Sequence, residues 1–86
     1  MEIFERTEHW QAVDNNRNVA RDYWIVATRD LFGWYVVERR WGRIGTAGRS
    51  ATNSFADEGA ALRFIATIRS RRSSARRRIG VSYRPA

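Results

Sequence analysis

Strand-type patterns occupy the chain as far as "SATNSFA", and helical spacing appears once, after it. The segment "EHWQAVD" (residues 8–14) is short, aromatic and mixed, and predicts a first strand. "NNRN" (residues 15–18) consists of turn formers and predicts a loop. In "RDYWIVATRD", Tyr23, Trp24, Ile25 and Val26 form a run of strand formers. "DLFG" (residues 30–33) reads as a hairpin loop closed by glycine, and "WYVVERRW" (residues 34–41) as the returning strand. Alternation there puts Tyr35 and Val37 on one face and Trp34 and Val36 on the other. "GRIGTAGRS" (residues 42–50) predicts a hairpin turn, its three glycines relieving strain wherever φ is positive. "SATNSFA" predicts a fourth strand.

Asp57 then offers an N-cap, and Glu58 adds negative charge to the first turn of a helix. Ala61, Leu62, Ile65 and Ile68, with Phe64 beside them, recur at helical spacing and predict a core stripe that buries Leu62, Ile65 and Ile68. The helix ends in "RSRRSSARRR", where arginines complement the helix dipole. "IGVSYRPA" predicts a short edge strand or an anchoring seat for Tyr83. Short loops between adjacent strands imply antiparallel pairing. The expected fold is α+β, an antiparallel sheet of about four to five strands with one α-helix packed on one face. Residues 1–86 read as a single domain.

Composition narrows the chemistry. A chain of 86 residues hides roughly 60–65% of its unfolded surface. Four Trp, three Tyr and four Phe compensate with large buried areas. There is no Cys, and the lone His9, read as an ordinary strand histidine, makes no metal site. No apolar run approaches the ~18 residues of a membrane span, and the charged start "MEIFERTEHW" is no signal peptide, so the cytoplasm is expected. Nothing assembles a nucleophile with a general base, so no enzyme activity, cofactor or metal is expected. The net charge is +7, and all sixteen basic residues are arginine. Codon bias accounts for the absence of lysine as readily as function does. The charge excess itself points to a polyanionic partner.

The stretch "RRWGRIGTAGRS" (residues 39–50) sets a tryptophan among arginines beside Gly42, Gly45 and Gly48. Its glycine spacing fits neither the dinucleotide fingerprint nor the P-loop, and no helix follows it directly. Trp41 can offer an apolar face to a sugar or base, with Arg39, Arg40, Arg43 and Arg49 neutralising phosphates around it. Gly42 lets that backbone approach closely. The competing reading makes Trp41 a cap on the core. "RRSSARRR", with Arg76, Arg77 and Arg78, reads as a solvated helix end, a flexible basic linker or a nucleic-acid patch.

From these residues the chain resembles a WGR domain, a family named for the tripeptide Trp41-Gly42-Arg43. The resemblance takes in "RNVARDYW" (residues 17–24), "WGRIG", Gly48, Phe55 before the helix, an alanine-bearing helix and a basic stretch ending at Tyr83. In DNA-damage-activated poly(ADP-ribose) polymerases this domain binds DNA near a strand break, the motif tryptophan packing on a sugar at the DNA end. The resemblance therefore implies Trp41 as the stacking residue, Arg43 as the motif arginine and a supporting place for Asn18. It implies a nucleic-acid partner, DNA ahead of RNA, with a protein-interaction adaptor as the alternative. A monomer with no membrane partner is expected. The sequence carries neither the polymerase catalytic domain nor its zinc fingers, so poly(ADP-ribose) synthesis is not expected of it. Asp22 stands where an aromatic or basic residue is expected, and an acid there is expected to weaken a phosphate surface locally.

Overall fold

The computed structural model describes residues 5–75 and 80–86. Its elements are β1 (Arg6–Asp14), β2 (Val19–Arg29), β3 (Tyr35–Arg43), β4 (Arg49–Phe55), α1 (Glu58–Ser73) and β5 (Arg84–Pro85). The sheet order is β4-β3-β2-β1-β5, and every neighbouring pair is antiparallel. The tail returns to the far edge, where Trp10 faces Pro85, Gln11 faces Arg84, and the Ala86 N–H donates to the His9 carbonyl at 2.9 Å. The tail thus supplies an edge strand, and Tyr83 also packs against the core.

Short polar side chains fix the connections. After β1, Asp14 accepts from the Asn16 N–H at 3.0 Å and opens a 3-10 turn, Asn15–Arg17. That turn closes on Asn18 at φ 54°, a left-handed conformation that asparagine tolerates. Between β2 and β3, Asp30 Oδ1 accepts from the N–H groups of Phe32 and Trp34 at 2.8 and 3.0 Å. At the helix start, Asp57 caps α1 by accepting from the Ala60 N–H at 2.9 Å.

Strand alternation sends Tyr23, Ile25 and Ala27 of β2 and Val37 of β3 toward the helix, where they meet Ala61, Ile65 and Ile68. Leu62 was expected in this layer and is not in it; it stays 39% exposed. Ala61, Ile65 and Ile68 form the inward i, i+4, i+7 row, and Leu62 sits about 100° round the helix from Ala61, on its flank. A polar clamp joins the layers at the other side: Arg69 Nε donates to Glu8 Oε1 at 3.1 Å and its Nη2 to Glu8 Oε2. That hydrogen bond, working against partial burial and helped by the arginine's charge, holds the Glu8 carboxyl below its ordinary value of 4.5.

Trp41 lies on the strand as expected, but Gly42 and Arg43, expected in the turn, do not. Trp41, Gly42 and Arg43 end strand β3, paired with Tyr23, Asp22 and Arg21, and the turn comes after them. The Ile44 N–H donates to the Ala20 carbonyl at 2.9 Å, so pairing with β2 carries past the motif. Glycine is required because the hairpin closes tightly. A Cβ on Gly42 would stand 2.7 Å from Gly48 Cα, and one on Gly48, at φ +65°, would run into the Trp41 carbonyl oxygen.

Candidate nucleic-acid interface

Antiparallel register decides which side chains share a face. Arg21 of β2, Arg39, Trp41 and Arg43 of β3, and Arg49 of β4 all project from the helix-bearing face at the motif end of the sheet. Arg71 and Arg72 come to the same place from the last turn of α1. Between sheet, helix end and tail all of these except Arg49 line a cleft of about 710 Å³. Trp41 is half-buried; it packs against the core and stacks on Tyr23 with ring centroids 6.1 Å apart. The ring therefore both caps the core and borders the cleft.

The motif arginine is held by Asn18. Arg43 Nη2 donates to Asn18 Oδ1 at 3.0 Å and Nη1 to the Asn18 carbonyl at 3.4 Å. The left-handed conformation of Asn18 turns both of its oxygens toward the strand end. Arg43 stays exposed, so its charge is oriented without being neutralised. Arg39 is different: its guanidinium lies between the Trp41 ring, 5.5 Å away, and the Phe64 ring, 5.2 Å away. Arg49 is exposed at the start of β4, directly across from Trp41.

Arg40 does not join this group. Between Arg39 and Trp41 in sequence, it projects from the opposite face, where Trp24 and Ser50 are its cross-strand neighbours. Arg76, Arg77 and Arg78 lie outside the described residues. The expectation for Asp22 is also reversed by alternation. Its carboxylate lies on the opposite face, 2.5 Å from His9 Nε2 and accepting from Gln11 Nε2 at 3.1 Å. His9 in turn stacks on Trp24 with centroids 3.6 Å apart. Asp22 therefore holds its own face together and turns its carboxylate away from the arginine cleft.

Sequence reasoning missed Arg21 as a cleft residue, and left Arg71 and Arg72 inside "RRSSARRR", for which a nucleic-acid patch was one of three readings. The signal for Arg21 is its register opposite Arg43, which only the strand pairing supplies. Arg72 lies within that stretch, and its guanidinium sits 4.2 Å from the Tyr23 ring and 5.3 Å from the Tyr83 ring rather than free in solvent. Among the described residues no group of three or more His, Cys, Asp or Glu side chains comes together to hold a metal ion. No helix among them is long and apolar enough to cross a membrane.

A two-layer α+β module with an aromatic, arginine-rich end is the class that this fold and site define. Residues 7–76 match the WGR domain, and the chain belongs to that family. It is 38% identical over 63 residues to the uncharacterized protein y4dW of Sinorhizobium fredii (strain NBRC 101917 / NGR234). That match covers 72% of this chain and 31% of the relative, so the chain spans about a third of the relative's length. No solved structure matches the chain.

Proposed function

We propose that this chain is a cytoplasmic, monomeric nucleic-acid-binding module that engages DNA, and DNA ends or breaks in particular, through Trp41, Gly42 and Arg43. The observation that carries the proposal is the placement of Trp41 among exposed arginines from β2, β3 and β4, Arg21, Arg43 and Arg49, none of which pairs with an acid among the described residues. Phosphates lie against Arg21, Arg43 and Arg49, and the release of their counterions drives association. The Trp41 ring offers a face to the sugar or base at a terminus, a contact that a continuous duplex does not expose. Membership of the WGR family supports the same reading.

The test compares a blunt duplex with a dumbbell of the same sequence, closed at both ends by loops, by fluorescence anisotropy. The expected result is tighter binding to the blunt duplex, and a Trp41→Leu protein that loses this preference while still binding both. Melting curves of the variant show whether it remains folded, since Trp41 also packs on the core. A folded Trp41→Leu protein that keeps the preference would contradict end recognition by this ring.

A second reading, a protein-interaction adaptor, is favoured by one specific observation. Leu31 and Phe32 are 99% and 87% exposed at the tip of the β2–β3 hairpin, held there by the Asp30 hydrogen bonds. This tip lies at the opposite end of β3 from Trp41, about 20 Å away at about 3.4 Å per residue. An adaptor role predicts no nucleic-acid binding by the parent protein at low salt.

A further inference from the structure

The cleft behind Trp41 has the dimensions and chemistry of a ligand site in its own right. Its volume of about 710 Å³ falls within the range of small-molecule sites. Planar groups follow one another from the core into its wall. Phe64, Arg39, Trp41, Tyr23, Arg72 and Tyr83 follow one another at separations of 5.2, 5.5, 6.1, 4.2 and 5.3 Å. The far member, Tyr83, is held in place because the residues after it pair with β1. Both ring walls, Trp41 and Tyr83, are only half-buried, so aromatic surface remains open to the cleft.

The charge pattern specifies the other half of the ligand. Arg21 and Arg43 are directly opposed on neighbouring strands, an arrangement that repels when nothing lies between them. Neither has an acidic partner among the described residues, and Arg43 is held only by the neutral oxygens of Asn18. The acid that borders the cleft, Asp22, turns its carboxylate to the other face. Arg71 adds a third cation from the helix end.

We propose that this cleft binds a single nucleotide, its base against the open face of Tyr83 and its phosphate between Arg21, Arg43 and Arg71. The inference rests on the nucleic-acid reading for one source of that nucleotide, the unpaired terminal residue of a duplex with an overhang. A free mononucleotide presents the same base and phosphate, and the two sources are separated by experiment.

In the first arm, adenosine monophosphate, adenosine and inorganic phosphate are titrated into the isotope-labelled protein, followed by amide and indole NMR shifts. Saturable shifts at Trp41, Arg21 and Tyr83 with the monophosphate, weaker with either fragment, establish a free-nucleotide site. Arg21→Gln should weaken the monophosphate and leave adenosine unchanged. In the second arm, anisotropy compares a blunt duplex, a duplex with a one-nucleotide overhang and the same overhang lacking its base. The overhang with its base should bind about 5- to 150-fold tighter than the abasic one, the range of a single base–aromatic stack. Tyr83→Leu should remove that difference and Tyr83→Phe should keep it.

Either arm succeeding supports the cleft and identifies its source. No shift with the monophosphate up to about 10 mM, where a millimolar site would be mostly filled, together with equal binding of the two overhangs, overturns it. In that case binding of the blunt duplex leaves the broader nucleic-acid reading intact. Saturable monophosphate binding with no duplex bound would remove the broader reading and leave the cleft.

Discussion

At Trp41 the indole packs toward Tyr23 on one side and borders the arginine cleft on the other, so its substitution mixes stability with binding. Arg43 is the cleaner probe, because it is exposed and its partners are the oxygens of Asn18. Arg43→Ala should leave the melting temperature nearly unchanged and flatten the salt dependence of DNA binding by about one phosphate equivalent. Asn18→Gly should weaken binding less and leave that slope unchanged, because the charge remains and only its orientation is lost. Gly48→Ala tests the tight hairpin. At φ +65° with the Trp41 carbonyl in the way, it should destabilise the fold by more than about 1 kcal/mol, read as a lower denaturation midpoint. The grouping of Trp41 with Arg43 and Asn18 was legible from the family pattern, and that of Arg49 with Trp41 from their place in one arginine-rich stretch. Arg21 and Asp22 were not legible. They are neighbours in sequence and project from opposite faces, and which face holds the site depends on pairing with β3.

Among the elements, α1 was the most legible and its inward face the least. Asp57 caps it as expected, and Ile65 and Ile68 are buried as expected. Leu62 was grouped with them, although the i, i+4, i+7 row of Ala61, Ile65 and Ile68 leaves it on the flank. Ile65→Ala should therefore cost about 2–5 kcal/mol, while Leu62→Ala should cost less than about 1 kcal/mol, measured by chemical denaturation. The first four strands and their antiparallel pairing were legible; their ends, and the place of β5 beside β1, were not. The motif reads as turn because glycine marks turns, but the Ile44–Ala20 hydrogen bond extends β3 through it. The link between β1 and α1 left no signal in sequence, since Glu8 and Arg69 are far apart along the chain. Because Glu8 is held below its ordinary value of 4.5, its contribution is complete above that pH and disappears as pH falls through the lower folded value. Arg69→Gln should lower stability at neutral pH by less than about 1 kcal/mol, given the half-exposed arginine. Denaturation curves of parent and variant should converge as pH is taken below 4.5.

Across the whole molecule the two faces of the sheet differ in charge. The open face sets Asp22 and Glu38 against Arg40, with His9 stacked on Trp24, and is nearly balanced. The helix-bearing face at the motif end carries Arg21, Arg39, Arg43 and Arg49, joined by Arg71 and Arg72. The net charge of +7 was plain from composition, but its concentration at one end arises from register and from the return of the helix end to the sheet. An uneven field of this kind steers a polyanion to one face and fixes its orientation before close contact forms. The measurement that tests this account most directly is the affinity of the parent protein for a blunt DNA duplex across a series of salt concentrations. Log affinity should fall linearly with log salt, with a slope of about −3 if roughly three phosphates meet Arg21, Arg43 and Arg49 at about −0.9 each. No binding at low salt, or binding indifferent to salt, would contradict it.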